Sequence, residues 1–254
     1  MTITWLTYLI VCPLVFLGGV IDAIGGGGGL ITLPAFVLAG IPVHNAIATN
    51  KISSFCGTSV AVARYYKNGL INLKLGLPTV AATLVGASIG AHLSMLTDEK
   101  IMNVLLFIIL PLTAFVVFNK KLFHDNPETE ELQIDLRMIA IGCLLAFVIG
   151  MYDGFYGPGT GTFLLIGFTV FAKLSIRRAN GQAKLINLTS NFSSLVVFLL
   201  NGQAVVTLGL AAAVCNMAGN YIGSGLALTK GSRITKPVIL IVLTLLFLKI
   251  LGVY

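Results

Sequence analysis

The 254-residue sequence contains very little charge. Asp, Glu, Lys and Arg together make up 10% of the residues and apolar residues make up 57%, whereas a soluble domain has about 25% charged residues. So few charged side chains cannot cover a water-facing surface, which excludes a soluble enzyme, a disordered protein and a nucleic-acid-binding module. The excess of 16 basic over 9 acidic residues is therefore attributed to the cytoplasmic loops of a membrane protein.

Motifs that would indicate a redox, metal or nucleotide site are also absent from the sequence. The four cysteines lie far apart and form no Cys-x-x-Cys, the spacing that many redox and metal sites use. No Gly-Lys-[Ser/Thr] follows the glycine-rich runs, so they are not phosphate-binding loops. The N-terminus has neither a basic n-region nor an Ala-x-Ala site, and residues 4–24 are interpreted as a retained membrane segment. We expect no cofactor and no metal.

Apolar runs separated by glycine, proline and charged residues predict an all-α polytopic membrane protein. Two of the runs, 28–40 and 160–172, are too short for an upright span, because a helix of this length reaches about 20 Å and the hydrocarbon core is about 30 Å thick. Each follows a glycine cluster, which indicates a re-entrant hairpin or a broken helix. The ten predicted segments are 4–24, 28–40, 43–66, 73–96, 100–119, 136–156, 160–172, 177–200, 204–229 and 235–252.

The sequence repeats itself after about 133 residues. With this shift Lys51 corresponds to Lys184, and Gly86-x-x-x-Gly90 corresponds to Gly219-x-x-x-Gly223. The glycine clusters at 25–29 and 157–161 match after a shift of 132. A polar stretch separates the two copies, so we predict a first repeat at 1–119, a cytoplasmic linker at 120–135 and a second repeat at 136–254.

Charges in equivalent loops predict that the two repeats are inverted. Loop 64–74 carries three basic residues and its counterpart at 201–207 carries none, whereas loop 40–45 carries none and its counterpart carries Lys173, Arg177 and Arg178. Because cytoplasmic loops collect Lys and Arg, equivalent loops should lie on opposite sides of the membrane. We therefore predict two inverted repeats, each with three full spans plus a glycine-broken short helix pair, and both termini on the non-cytoplasmic side. This arrangement is typical of secondary transporters, which bind substrate near the bilayer midplane.

Four charged residues remain inside apolar segments once charges in loops and at segment ends are set aside: Asp22, Lys51, Asp153 and Lys184. An intramembrane charge costs at least about 2.5–3.5 kcal/mol on insertion scales and is a functional candidate by default. Each lysine is followed by polar residues at helical spacing, which places them on its own helix face. A cation flanked by hydroxyl and amide donors suits an anion. The alternative is that Asp22 and Asp153 neutralise the lysines, which then serve packing only.

The predicted substrate site combines these polar residues with the two glycine clusters. A half-helix that begins at such a cluster directs its positive end inward, which favours an anion. The predicted substrate-binding residues are Lys51, Lys184, Asn50, Thr49, Ser54, Asn187, Asn191, Gly27, Gly28, Gly29, Gly159 and Gly161. Asp22 and Asp153 precede the clusters, and the sequence leaves open whether they carry coupling protons, pair with the lysines or cap the hairpins.

Several motifs at these positions together resemble one known family. The first half has Ile-Asp-Ala-Ile at 21–24 and Ala-Ile-Ala-Thr-Asn-Lys at 46–51, and the second half has Tyr-Asp-Gly-Phe-Tyr-Gly-Pro-Gly at 152–159 and Ala-Lys-Leu-Ile-Asn at 183–187. The chain is similar in these motifs to the TauE/SafE family of membrane proteins, often called sulfite exporters. The resemblance implies a transporter of the bacterial cytoplasmic (inner) membrane that moves sulfite, organosulfonates or related small anions, usually outward. Thr160 stands where the first half has Gly28, so the two hairpins differ.

The leading hypothesis is a secondary anion transporter that works by alternating access. An anion channel that uses the same lysines is the alternative, and a subunit of a larger assembly is a third possibility. A membrane-embedded enzyme would need a nucleophile–base pair or a metal cluster, and the sequence places neither in one apolar region. The expected partners are a small anion and the lipid bilayer. The exact substrate, the direction, the coupling ion and the oligomeric state stay open.

Overall fold

The computed structural model describes residues 3–98, 100–101, 134–231, 233–235 and 237–238. Within these ranges every element of ten or more residues is an α-helix, as the sequence predicts. The predicted segments 100–119 and 235–252 and the linker 120–135 lie almost wholly outside the described residues. The eight helices are α1 (Trp5–Gly25), α2 (Gly29–Leu38), α3 (Val43–Lys67), α4 (Leu73–Leu96), α5 (Leu136–Phe155), α6 (Thr160–Val170), α7 (Ile176–Leu200) and α8 (Val206–Lys230).

Five of the described helices are long and apolar enough to cross a membrane, namely α1, α4, α5, α7 and α8. The chain is therefore a multi-pass membrane protein. α2 and α6 have 10 and 11 residues, so they extend only about 15–17 Å and cannot cross alone. α3 is as long as α7, at 25 residues each, but Asn50, Lys51 and several hydroxyl residues make it more polar than an isolated span.

Polar side chains fix where three of the long helices begin. Asn72 accepts a hydrogen bond from the Lys74 main-chain N–H at the start of α4, and Asp135 accepts one from Met138 at the start of α5. Ser175 caps α7 in the same way. These side chains satisfy main-chain donors that have no partner within the first helical turn. The helix starts therefore agree with the sequence-based boundaries to within two residues.

Helices of one half pack against helices of the other half. α1 packs along α8, and its repeat-equivalent α5 packs along α4. Both contacts run through the Gly-x-x-x-Gly motifs: a side chain at Gly90 would overlap the main-chain oxygen of Met151, and one at Gly223 would overlap that of Val20. Small residues at such positions let two helix backbones approach closely in a membrane. The inverted orientation of the two halves stays a prediction.

The two chain breaks, between α1 and α2 and between α5 and α6, meet in the interior. The main chain turns there at positive φ, +76° at Gly26 and +86° at Gly159, a conformation that only glycine adopts without strain. The Thr162 hydroxyl donates to the carbonyl oxygens of Gly25 and Gly26, at 3.0 and 2.9 Å. A side chain at Gly26 would overlap Gly161. The glycine clusters thus allow the two breaks to pack directly on one another.

Candidate functional site

A cavity opens where the two breaks meet, between α3 and α7. The cavity volume that the centres of water molecules can occupy is about 30 Å³. This volume is enough for about two waters. Twelve of the fourteen residues that the sequence singles out for the substrate or for coupling line this cavity. They are Asp22, Gly27, Gly28, Gly29, Asn50, Lys51, Ser54, Asp153, Gly159, Gly161, Asn187 and Asn191.

Lys51 and Asp153 form an ion pair in the cavity wall. The Lys51 Nζ atom lies 2.8 Å from Asp153 Oδ2 and 2.7 Å from the Asp153 main-chain oxygen. The Ser190 hydroxyl donates to the same Oδ2 atom. Both side chains of the pair are almost fully buried, at 3% and 4% exposure. A buried charge needs a partner and hydrogen bonds to offset its lost hydration, and this pair has both.

Lys184 and Asp22 form a second ion pair, in which only the carboxylate lines the cavity. The Lys184 Nζ atom lies 2.6 Å from Asp22 Oδ2. Lys184 is fully buried behind Asp22 and does not reach the cavity, whereas the Asp22 side chain is 17% exposed and lines it. The lysine here supports a carboxylate that faces the cavity.

The two ion pairs connect the halves of the protein crosswise. Each carboxylate stands just before the glycine cluster of one half, and each lysine comes from the long polar helix of the other half, α3 or α7. Two lysines and two aspartates in contact sum to no net charge. Charged residues inside membrane segments commonly pair with one another in this way.

The remaining cavity wall supplies uncharged donors. Asn187 and Asn191 lie one turn apart on α7, and the Asn191 amide donates to Asn187 Oδ1 at 2.6 Å. The first residues of α2 and α6 also line the cavity. Both short helices therefore direct their positive N-terminal ends at it, which favours a negative ligand. An ammonium, two amides and two helix N-termini can together hold a small anion.

The structure places Thr49 and Lys184 outside the cavity wall. The Thr49 hydroxyl donates to the Asn45 carbonyl oxygen at 2.6 Å and accepts from the Val205 main-chain N–H at 3.0 Å. It therefore joins α3 to the chain before α8. Thr49 and Asn50 are adjacent in sequence, and adjacent helical residues point in different directions. Lys184 lies behind Asp22, so it reaches a cavity ligand only through that carboxylate.

The cavity wall also contains residues that the sequence did not single out for the site, and the polar side chains among them include Thr32, Tyr156 and Asn216. Asn216 and Asn220 lie one turn apart on α8, and the Asn220 amide donates to Asn216 Oδ1 at 2.6 Å. Two asparagines at this spacing in an apolar segment are a signal that the sequence does contain. Thr32 has a buried hydroxyl without a hydrogen-bond partner among the described residues, and a single threonine in an apolar run gives no such signal.

The two chain breaks are held in different ways. The carbonyl oxygens at the end of α1 accept hydrogen bonds from outside: Tyr65 donates to Ala23, and the Asn180 amide donates to both Ala23 and Ile24. At the break after α5, the Tyr152 hydroxyl donates to the Pro158 carbonyl oxygen at 2.7 Å, a bond within the same segment, and Lys51 donates to the Asp153 carbonyl oxygen. Across the described ranges, no group of three or more His, Cys, Asp or Glu side chains could hold a metal ion.

Comparison with known proteins gives one family for this sequence. The model of the family described as "Sulfite exporter TauE/SafE" matches residues 11–250. A Sinorhizobium protein named "Probable membrane transporter protein ORF9" is 33% identical, over 93% of this chain and 89% of its own length. "Probable membrane transporter protein YfcA" of Escherichia coli K12 is 32% identical over 92% and 86%, and a probable membrane transporter protein of Haemophilus influenzae is 31% identical over 89% and 87%. No solved structure matches the chain significantly.

Proposed function

This chain belongs to the sulfite exporter TauE/SafE family and is a membrane transporter, and we propose that its substrates are small sulfur-containing or organic anions of the sulfite and organosulfonate type. The family resemblance noted in the sequence is confirmed by these matches. The proposal concerns what is carried and how, which the family and the printed names of the relatives leave open.

The observation that carries the proposal is the composition of the cavity. Lys51 reaches its wall with an ammonium group, Asn50, Asn187 and Asn191 add amides, and α2 and α6 begin there. Each of these groups interacts favourably with negative charge. The cavity lies at the contact between the halves, where broken helices commonly form the substrate sites of secondary transporters.

We assign Lys51 the direct contact with the anion and Lys184 an indirect role through Asp22. In the present arrangement Lys51 is bound to Asp153, so an anion approaches a lysine that already has a partner. The anion therefore shares or replaces one of the oxygen ligands of Lys51. The two carboxylates are also the groups at the site on which a coupling proton could travel.

The proposed mechanism is alternating access, in which the two halves move relative to each other around this cavity and release the anion on the outside. The protein would lie in the bacterial cytoplasmic membrane with both termini on the non-cytoplasmic side, as the loop charges predict. No observation favours an anion channel over this carrier.

The proposal is tested by thermal unfolding of the detergent-purified protein in the presence of small anions. The panel comprises sulfite, sulfate, thiosulfate, taurine, sulfoacetate and short carboxylates at constant ionic strength. A ligand at 100 times its dissociation constant stabilises a two-state fold by about 2.7 kcal/mol, so a substrate raises the unfolding temperature. Stabilisation by one class of anion is the expected result. A flat panel with a cooperatively unfolding protein would contradict the proposal.

A further inference from the structure

The cavity and its two ion pairs are electrically neutral before any substrate binds. Lys51 and Lys184 balance Asp22 and Asp153. An anion that enters adds a full negative charge, and no unpaired cationic side chain remains among the described cavity residues to neutralise it. An uncompensated charge at membrane depth is costly. A proton on one of the two carboxylates restores neutrality, and it frees the charge of the partner lysine to attract the anion.

Asp153 is poorly placed to take that proton. Lys51 and Ser190 both donate to its Oδ2 atom, and Lys51 also holds its main-chain oxygen at 2.7 Å. Its side chain is 4% exposed. These donors bind the ionised carboxylate, so protonation opposes bonds that are already formed.

Asp22 is better placed on each count. Lys184 is the only side-chain donor to its carboxylate within the described part of the chain, and it binds Oδ2 at 2.6 Å. The side chain is 17% exposed and faces the cavity. A proton that arrives with the anion can therefore reach the other oxygen, Oδ1, without displacing the lysine.

The other groups around Asp22 support the same assignment. α2 and α6 contain no ionisable side chain, and α8 faces this part of α1 with the uncharged Asn216 and Asn220. The titratable or charged side chains near Asp22 on the remaining elements are Lys184 on α7, Lys51 and Tyr65 on α3, and Asp153 and Tyr156 across the cavity. Lys51 is engaged by Asp153, so Lys184 is the cation whose charge is released when Asp22 is protonated.

We propose that Asp22 is the site of a proton that moves together with the anion, one proton for each anion. This inference rests on the proposed anion transport. Loaded protein carries protonated Asp22 and the anion, with the charge of Lys184 balancing the anion, and empty protein returns with both ion pairs formed. The proton and the anion favour each other's binding, because the positive charge of one offsets the negative charge of the other. An inward proton gradient then favours uptake, and export requires an outward anion concentration ratio that exceeds the inward proton concentration ratio.

The test uses purified full-length protein in lipid vesicles and labelled ethanesulfonate, with sulfite as a second probe. Ethanesulfonate stays ionised throughout the pH range in which carboxylates titrate, so any pH effect arises in the protein. Two processes are measured: exchange of outside for inside anion, which needs no net proton movement, and accumulation driven by an acidic outside. A pH difference of one unit limits accumulation of a monovalent anion with one proton to about tenfold.

We expect wild-type vesicles to show both processes, with a lumenal pH dye reporting one proton for each anion taken up. Asp22→Asn should bind and exchange the anion without accumulating it, because its amide imitates the protonated acid and cannot release a proton. Asp98→Asn, the same change at an exposed position outside the cavity, should accumulate like wild type. Asp22→Glu keeps a carboxylate at this position and should retain accumulation, and the exchange retained by Asp22→Asn itself shows that this variant is folded.

Each other outcome overturns the inference in a distinguishable way. Wild-type uptake without proton movement would show that Asp22 does not carry a coupled proton. Full accumulation by Asp22→Asn would show the same. Loss of exchange as well as accumulation in a folded Asp22→Asn makes Asp22 a binding or structural group. The same separation of exchange from accumulation in Asp153→Asn instead assigns the proton to Asp153. Absence of exchange of either probe in wild type refutes the proposed anion transport itself.

Discussion

The two ion pairs of this protein have the same composition and come from equivalent positions, but they face the cavity differently. In the pair of Lys51 and Asp153, both residues line the cavity and a serine adds a further hydrogen bond. In the pair of Lys184 and Asp22, the lysine is hidden and the carboxylate is exposed. A repeated sequence can therefore present a cation to the cavity from one half and an exposed carboxylate from the other.

One local difference between the two halves lies six residues after each lysine, on α3 and α7. Ser190, which bonds Asp153, corresponds in the repeat to Gly57. Gly57 leaves room for Asn216, whose side-chain oxygen occupies the space that a side chain at 57 would need. Gly57 therefore provides no hydroxyl to bond Asp22, and Asn216 of α8 lines the cavity at this place.

The largest effect is expected from removing one lysine at a time. Lys51→Ala leaves Asp153 buried without its cation, which should lower the free energy of unfolding by about 3–5 kcal/mol. Lys184→Ala leaves Asp22, which water in the cavity can hydrate, so the loss should be smaller, about 1–3 kcal/mol. Thermal unfolding in detergent measures both, and Lys67→Ala, at an exposed lysine, should change little. Equal losses would contradict the difference between the pairs.

A double variant separates stability from binding at the first pair. Lys51→Gln combined with Asp153→Asn removes both charges, so no unpaired buried charge remains and most of the stability should return. Stabilisation by anions should still be absent, because the ammonium has gone. Anion stabilisation that returns along with the fold would show that Lys51 serves the structure alone.

An intermediate effect is expected from the hydroxyl that only one pair has. Ser190→Ala removes a hydrogen bond to an ionised group, which should lower the free energy of unfolding by about 1.5–3 kcal/mol. The comparison variant Gly57→Ser places a hydroxyl at the equivalent position, but its Cβ overlaps Asn216. It should therefore destabilise the fold by about 1–3 kcal/mol. A stabilising Gly57→Ser would show that the asparagine yields space and that the asymmetry has another cause.

The smallest effect on the fold is expected at Thr32, whose counterpart in the second half, after a shift of 132, is Leu164. Thr32→Val removes a buried hydroxyl that has no partner among the described residues, so stability should change by less than about 1 kcal/mol or rise slightly. Anion-induced stabilisation is a separate measurement, and Thr32→Val should weaken it if this hydroxyl contacts the anion. An unfolding loss well above 1 kcal/mol would mean that the hydroxyl has a protein partner after all.

The sequence predicts the helices and most of the site residues, but not which lysine contacts which aspartate. Hydrophobic runs and glycine clusters locate the eight described helices, since both depend on local spacing. The contacts of Lys51 with Asp153 and of Lys184 with Asp22 cross between the halves, and they depend on how helices distant in sequence rotate against each other. For the same reason the sequence could not separate Thr49, which bonds the chain before α8, from its neighbour Asn50, which lines the cavity.

The central claim, that the Lys51 cavity binds the transported anion, is tested most directly by exchange of labelled sulfite in lipid vesicles. Three proteins are compared: wild type, the double variant Lys51→Gln with Asp153→Asn, and Lys67→Gln as a lysine control outside the cavity. The account predicts exchange by wild type and by Lys67→Gln, and its loss in the folded double variant. Exchange at the wild-type rate in the double variant would contradict it.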